Sequence, residues 1–212
     1  MTHIVLLGDS IFDNGAYVAG GPDVIRQLKT RLPDRWQATL RARDGAITSS
    51  VTSQLAGLPA DATHLVVSIG GNDALSHISV LEDTANSIAS ALNRLADITD
   101  GFRRDYTAML DRVLRLRLPT AVCTIYEPRF PDARLQRLGV TALSLFNDCI
   151  TRQAFARGLP LLDLRLICDR DEDYANPIEP SVKGGEKIAA AIVRAIAECD
   201  FSKARTEVFA KG

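Results

Sequence analysis

Apolar residues along the chain fall into two kinds of run. Five are short and nearly continuous, at residues 4–7, 37–42, 64–69, 120–126 and 159–164. The third, His64-Leu-Val-Val-Ser-Ile69, is rich in β-branched residues, the pattern of a strand covered on both faces. Between these runs, apolar positions recur every three to four residues, the period of an amphipathic helix. Leu92, Leu95, Ile98 and Phe102 open one such stripe, and Tyr106, Leu110, Val113 and Leu114 continue it. Ile188, Ile192, Val193 and Ile196 form another. Strands alternating with helices predict an α/β sandwich with right-handed crossovers. No repeat, low-complexity tract or linker interrupts the pattern, so a single domain over residues 1–212 is expected.

Composition narrows the function classes. A chain of 212 residues is long enough to bury a core without disulfide or metal staples. At 46% hydrophobic, with the apolar residues spread evenly, it is not a disordered segment. Lys and Arg number 25 against 26 Asp and Glu, which removes the basic footprint of a nucleic-acid binder. No apolar run approaches the ~20 residues of a membrane span. The first ten residues lack the basic and long apolar regions of a secretory signal and read as a first strand. The four cysteines form no C-x-x-C pair, which argues against a zinc knuckle or redox motif. Cys123, in a strand run, and Cys199, near a helix end, are expected as buried thiols. A reducing, cytoplasmic location is expected.

Candidate chemistry lies where strands end. Gly8-Asp9-Ser10 follows the first strand. A serine there presents its hydroxyl to the crevice at the carboxyl edge of the sheet, where open α/β sheets bind ligands, beside backbone N–H groups. The plainer reading is a helix cap. The segment is not a G-x-S-x-G elbow, because Phe12 holds the last position. Gly70-Gly71-Asn72-Asp73 follows the third strand, and Asn72 can offer amide N–H to a ligand oxygen. Asp44-Gly45-Ala46 follows the second, and Gly45 can offer a backbone N–H. Each alone reads as an ordinary turn. Together, three neighbouring strands each end in a group able to face one point.

These blocks, in this order, resemble the SGNH, or GDSL, hydrolase family. The likeness runs from Ile4 to about Ala195 and includes Pro180-Ser181-Val182-Lys183-Gly184 before the last helix. It implies a three-layer α/β sandwich with a flavodoxin-like, parallel five-stranded sheet and helices on both faces. It also implies a serine ester hydrolase acting on a small-molecule ester. Ser10 would be the nucleophile, and the N–H groups of Ser10 and Gly45 with the Asn72 side chain would form the oxyanion hole.

The family's last block, D-x-x-H-P-S, is altered. Here it reads Asn176-Pro177-Ile178-Glu179-Pro180-Ser181, so Glu179 stands at the histidine position and Asn176 at the aspartate position. A free glutamate is a weaker base than a free histidine by about 3 kcal/mol of proton-transfer driving force. Burial would recover part of that, and Asn176 would orient Glu179 by donating a hydrogen bond without repelling it. A catalytically impaired binding or regulatory protein on the same fold is the alternative. Of the three histidines, His3 and His64 begin strands at the wrong edge, whereas His77 follows Asn72 on the right one and is a second candidate base.

Remaining features are weaker. Asp9 is expected to support the Ser10 turn, and Asp73 its own. Asp13 and Asn14 line the entrance or begin a polar loop. Arg129 meets an anionic substrate group or solvent, and Tyr174 forms part of a substrate wall. The acidic run 169–173 reads as a solvated loop. Asp9 and Asp13 would repel a phosphate, and no glycine-rich cradle follows the first strand, which weighs against a phosphate or flavin site. No metal-ligand or P-loop spacing occurs, so neither metal nor nucleotide cofactor is expected. The tail after Asp200 carries no legible signal.

Overall fold

The computed structural model describes residues 1–211 and is built on a parallel sheet of six strands. In chain order come β1 (Thr2–Gly8), β2 (Trp36–Leu40), β3 (His64–Ser68), β4 (Thr120–Cys123) and β5 (Leu161–Leu162). A separate antiparallel pair follows, β6 (Tyr174–Asn176) and β7 (Glu179–Pro180), before β8 (Val208–Phe209) returns to the main sheet. The sheet order is β2-β1-β3-β4-β5-β8. The helices are α1 (Val24–Arg31), α2 (Val51–Leu55), α3 (Gly71–Leu75), α4 (Ile88–Leu114), α5 (Ala133–Arg157), α6 (Leu164–Ile167) and α7 (Val182–Glu198).

The continuous apolar runs exist because the central strands are covered twice. Ile4 and Leu6 of β1 pack with Val24 and Leu28 of α1 and Ile188 and Ile192 of α7. Val5 and Leu7, on the opposite face, pack with Tyr106 and Leu110 of α4 and Phe146 and Ile150 of α5. Each fully buried aliphatic side chain contributes about 1.5–3 kcal/mol. The three layers agree with the sequence-based expectation, with three differences.

The sheet has six strands where five apolar runs are legible. The sixth comes from the tail: Leu161 N–H donates to the Glu207 carbonyl (2.9 Å) and Asp163 N–H to that of Phe209 (2.8 Å). A two-residue strand is too short to show a period of two. The fourth and fifth strands are also shorter than their runs, because side chains replace the ladder. The Asn147 amide of α5 clasps both the N–H and the carbonyl of Ile125 at 2.8 Å. Thr124 Oγ1 accepts from Leu164 N–H and donates to Asp163. Finally, the first turns of α4 are not core: Ile88 and Leu92 are 81% and 59% exposed, and burial begins near Thr99.

All four cysteines are free; Cys123 is buried and Cys199 only half-buried. Among the described residues, no helix is long and apolar enough to cross a membrane.

Candidate active site

The site is assembled at the carboxyl edge of β1 and β3. β1 ends at Gly8, whose φ of +131° is open to glycine, and whose added Cβ would lie 1.7 Å from the Ser68 carbonyl oxygen of β3. The buried Gln54 amide bonds both the N–H and the carbonyl of Gly8 at 2.8 Å and so ends the strand. The chain then turns tightly. Phe12 and Asp13 N–H both donate to the Asp9 carbonyl (3.2 Å), and Asp9 Oδ1 accepts from Ile11 N–H (3.1 Å). Ser10 sits inside this turn, 6% exposed. It caps no helix; Asp23 caps α1.

The Ser10 hydroxyl donates to Glu179 Oε1 at 3.0 Å. Glu179 is 5% exposed, and its other oxygen, Oε2, is buried without a hydrogen-bond partner. The short loop that carries it is held on every side. Asn176 Oδ1 accepts from Ile178 N–H (2.9 Å) and Glu179 N–H (3.0 Å). The Tyr126 hydroxyl donates to the Ile178 carbonyl (2.6 Å), and Arg129 N–H to that of Pro177 (2.7 Å). Asn14, fully buried, donates through Nδ2 to the Pro180 carbonyl (3.1 Å) while its Oδ1 accepts from Val24 N–H (2.9 Å). The hydrogen bond expected from the Asn176 amide to the Glu179 carboxylate is not formed; Asn176 positions Glu179 through its backbone instead.

Burial pushes the Glu179 carboxyl up to about 7, with the Ser10 hydrogen bond opposing and Asp44 adding to the rise. Burial also pushes Asp9 up to about 8, with Glu179 and Asp73 adding to it. The glutamate thus reaches the range of an ordinary histidine.

Asn72 comes from the first turn of α3. Its Nδ2 donates one hydrogen to the Ala46 carbonyl (3.0 Å), which leaves a second amide hydrogen available. Asp73 accepts from Thr48 N–H at 3.2 and 3.0 Å through its two oxygens. The two residues therefore clamp the loop after β2 onto α3. That loop contains Gly45, exposed, with φ +75°. Among the described residues, the N–H groups of Ser10 and Gly45 donate to no acceptor.

Ser10, Asn72 and Glu179 line one hollow of about 110 Å³, whose remaining wall is largely apolar. Leu75, Ile78, Leu81, Leu95, Ile98 and Phe146 are among the residues that form it. Sequence reasoning missed these residues, since helical spacing of leucine and isoleucine reads as core. Gly45 and Asn176 lie outside the lining. His77 lines the hollow, but its ring makes no hydrogen bond to Ser10.

Other candidates are occupied elsewhere. Arg129 lies over the Tyr174 ring (4.9 Å) and pairs with Asp171 (3.1 Å), so it does not reach the hollow. The Tyr174 hydroxyl sits 2.8 Å from both the Glu127 and Cys168 carbonyls, inside the loop rather than in a substrate wall. The acidic run is not wholly solvated: Asp173 is fully buried and paired with Lys187 (2.7 Å). His3 and His64 bond Thr39 and Thr63 at the far edge.

The sequence model of the GDSL-like lipase/acylhydrolase family matches residues 6–186. Among curated proteins none matches the chain. Solved structures do. A lipase from a goat rumen metagenome superposes with TM-score 0.73 at 19% identity, covering 95% of this chain and 100% of that one. An extracellular lipase from Streptomyces rimosus gives 0.64 at 18% identity, over 94% and 100%. The lipase/acylhydrolase from Enterococcus faecalis gives 0.64 at 20%, over 92% and 95%. At such identities the likeness establishes the fold.

Proposed function

Since the chain belongs to the GDSL-like lipase/acylhydrolase family, we propose that it is a serine ester hydrolase in which a glutamate replaces the usual histidine base. Ser10 Oγ attacks the acyl carbonyl carbon while its proton passes to Glu179 Oε1. The oxyanion of the tetrahedral intermediate is held by the N–H groups of Ser10 and Gly45 and the free amide hydrogen of Asn72. Collapse breaks the ester C–O bond, and protonated Glu179 gives its proton to the departing alcohol. A water then donates a proton to Glu179 and attacks the acyl-serine. The acid is released and Ser10 regains its hydrogen.

The observation that carries this reading is the 3.0 Å hydrogen bond from Ser10 to a buried glutamate. A carboxylate in water is too weak a base for the task; one raised to about 7 is matched to neutral pH. Two orphan backbone donors and a tethered amide are suited to developing negative charge, where a single donor is worth about 3–4 kcal/mol. The apolar hollow suits an aliphatic acyl group.

Turnover of a short-chain aryl ester tests the assignment, with Ser10→Ala and Glu179→Gln as controls. The parent is expected to hydrolyse the ester, and each variant to lose on the order of 10³ in kcat or more. Equal, negligible rates in all three would instead support a protein that binds without turnover.

A further inference from the structure

Several apolar side chains around the hollow belong to neither side of the core. Leu75, Ile78, Leu81, Leu95 and Phe130 are half-buried and stand outside both packed clusters, yet all five line the hollow. Core packing therefore does not account for them. Apolar surface gathered in a concave wall beside a candidate nucleophile marks a ligand site.

Phe130 is the largest of these side chains, and α5 fixes it. Its N–H donates to Gln136 Oε1 (2.8 Å), and Gln136 Nε2 donates to the Pro128 carbonyl (2.7 Å). One turn further along, Gly139 is the seventh residue of α5 and has no positive φ, so its backbone does not call for glycine. Glycine inside a helix is less stable than alanine, and here packing supplies the reason for it. A Cβ on Gly139 would lie 3.2 Å from Phe130 Cε2, 3.6 Å from Cδ2 and 3.9 Å from Pro128 Cγ. The missing side chain lets the ring lie directly on the helix. Ala142, the next residue of that face to line the hollow, offers only a methyl group, whereas Leu143 and Phe146 beyond it are large and buried. The face of α5 is thus least filled at Gly139 and Ala142, where Phe130 meets it.

The free space is small. It amounts to about 110 Å³. An apolar cavity of about 150 Å³ holds one benzene, so the hollow has room for about four aliphatic carbons.

We propose that Phe130, seated on Gly139, bounds a pocket for short acyl chains, so that the preferred substrates are esters of aliphatic acids of about four to six carbons. The acyl chain lies against Phe130 and Ala142. This rests on Ser10 being the nucleophile and on the hollow taking the acyl side of the ester. It adds the chain length and the side chains that set it.

The test is kcat/KM for p-nitrophenyl esters from acetyl to decanoyl. In the parent it should rise from acetyl by about fourfold with each methylene removed from water, and stop rising near hexanoyl. Ala142→Leu fills the pocket and should lower the hexanoyl-to-acetyl ratio by about tenfold or more. Phe130→Ala opens it and should raise the decanoyl-to-hexanoyl ratio by about tenfold. Phe155→Ala removes the same atoms from an exposed site on α5 outside the hollow and should keep the parent profile. Each ratio is taken on one preparation, so loss of folded protein cancels. A parent that prefers acetyl, or whose rate still climbs at decanoyl, overturns the proposal while leaving the hydrolase intact. So do unchanged ratios in Ala142→Leu and Phe130→Ala, or an equal shift in Phe155→Ala. If no ester is turned over, the hydrolase assignment fails, and calorimetric binding of methyl hexanoate and methyl acetate decides. Tighter binding of methyl hexanoate by the parent, lost in Ala142→Leu, upholds the pocket; equal binding of the two esters removes it.

Discussion

Ser10 and Glu179 lie 169 residues apart in sequence and 3.0 Å apart in space, joined by a hydrogen bond that the hydroxyl donates. Three neighbouring carbonyls and two backbone N–H groups fix the loop that makes this meeting possible. Position brings the carboxylate to the hydroxyl, and burial raises its carboxyl to about 7.

A pH dependence follows from that burial. Glu179 must be ionised to accept the Ser10 proton, and its carboxyl is raised to about 7. The kcat/KM for a neutral ester should therefore rise with pH, reach half its maximum near 7 and level off above. A profile already flat from pH 5 upward would mean that Glu179 is not the base.

Asn72→Ala removes one proposed oxyanion donor and the tether to Ala46. It should lower kcat by about 10²–10³ with a small change in KM. A loss confined to KM would place Asn72 in substrate binding alone.

Asn176 separates two roles. Asn176→Asp keeps the acceptor for Ile178 and Glu179 N–H but adds a negative charge beside the base. Activity should persist, with the midpoint of the pH profile moved above 7, since a like charge disfavours ionisation of Glu179. Asn176→Ala loses both hydrogen bonds and should cost about 1–3 kcal/mol of stability as well as rate. Chemical denaturation and a pH–rate series measure the two effects.

Asp9 predicts a stability effect with a defined sign. Its folded-state carboxyl is raised from 3.8 to about 8, so the folded state favours the protonated form. That stabilisation is complete below the unfolded value near 3.8 and is lost as pH rises through about 8. Asp9→Asn can keep the acceptor for Ile11 N–H and removes the titration. Its Tm should exceed the parent's at pH 8–9, with the gap narrowing toward pH 4. A gap that stays constant with pH would show that Asp9 does not titrate there.

What the sequence disclosed, and what it hid, follows from the length scale of each feature. β1 and β3 were legible because double coverage makes their apolar runs continuous. β8, two residues long, has no period to read, and β4 and β5 are shorter than their legible runs because Asn147 and Thr124 end strands by tertiary contact alone. Glu179 was locatable by counting back from Pro180-Ser181, but its burial, which changes its basicity, depends on distant packing. Asn176 was assigned the wrong hydrogen bond because a side chain three residues before its partner closes more easily on backbone N–H than on a carboxylate. The apolar hollow stayed hidden because Leu95 and Ile98 share the helical stripe of the true core residues Phe102 and Tyr106. Asp173 looked like a loop residue. In the fold the Asp173 carbonyl lies where a Cβ on Gly184 would be 2.1 Å from it, and the side chain is enclosed beside Lys187.

Covalent capture by a fluorophosphonate tests the serine–glutamate pair most directly, because it reads nucleophile activation without a guessed substrate. Intact-mass and peptide analysis should place one adduct on Ser10, formed at a rate that rises through pH 7 in the parent, falls at least a hundredfold in Glu179→Gln and vanishes in Ser10→Ala. Labelling of Ser10 at the same rate in Glu179→Gln, or no labelling of the parent at any pH from 6 to 9, would contradict it.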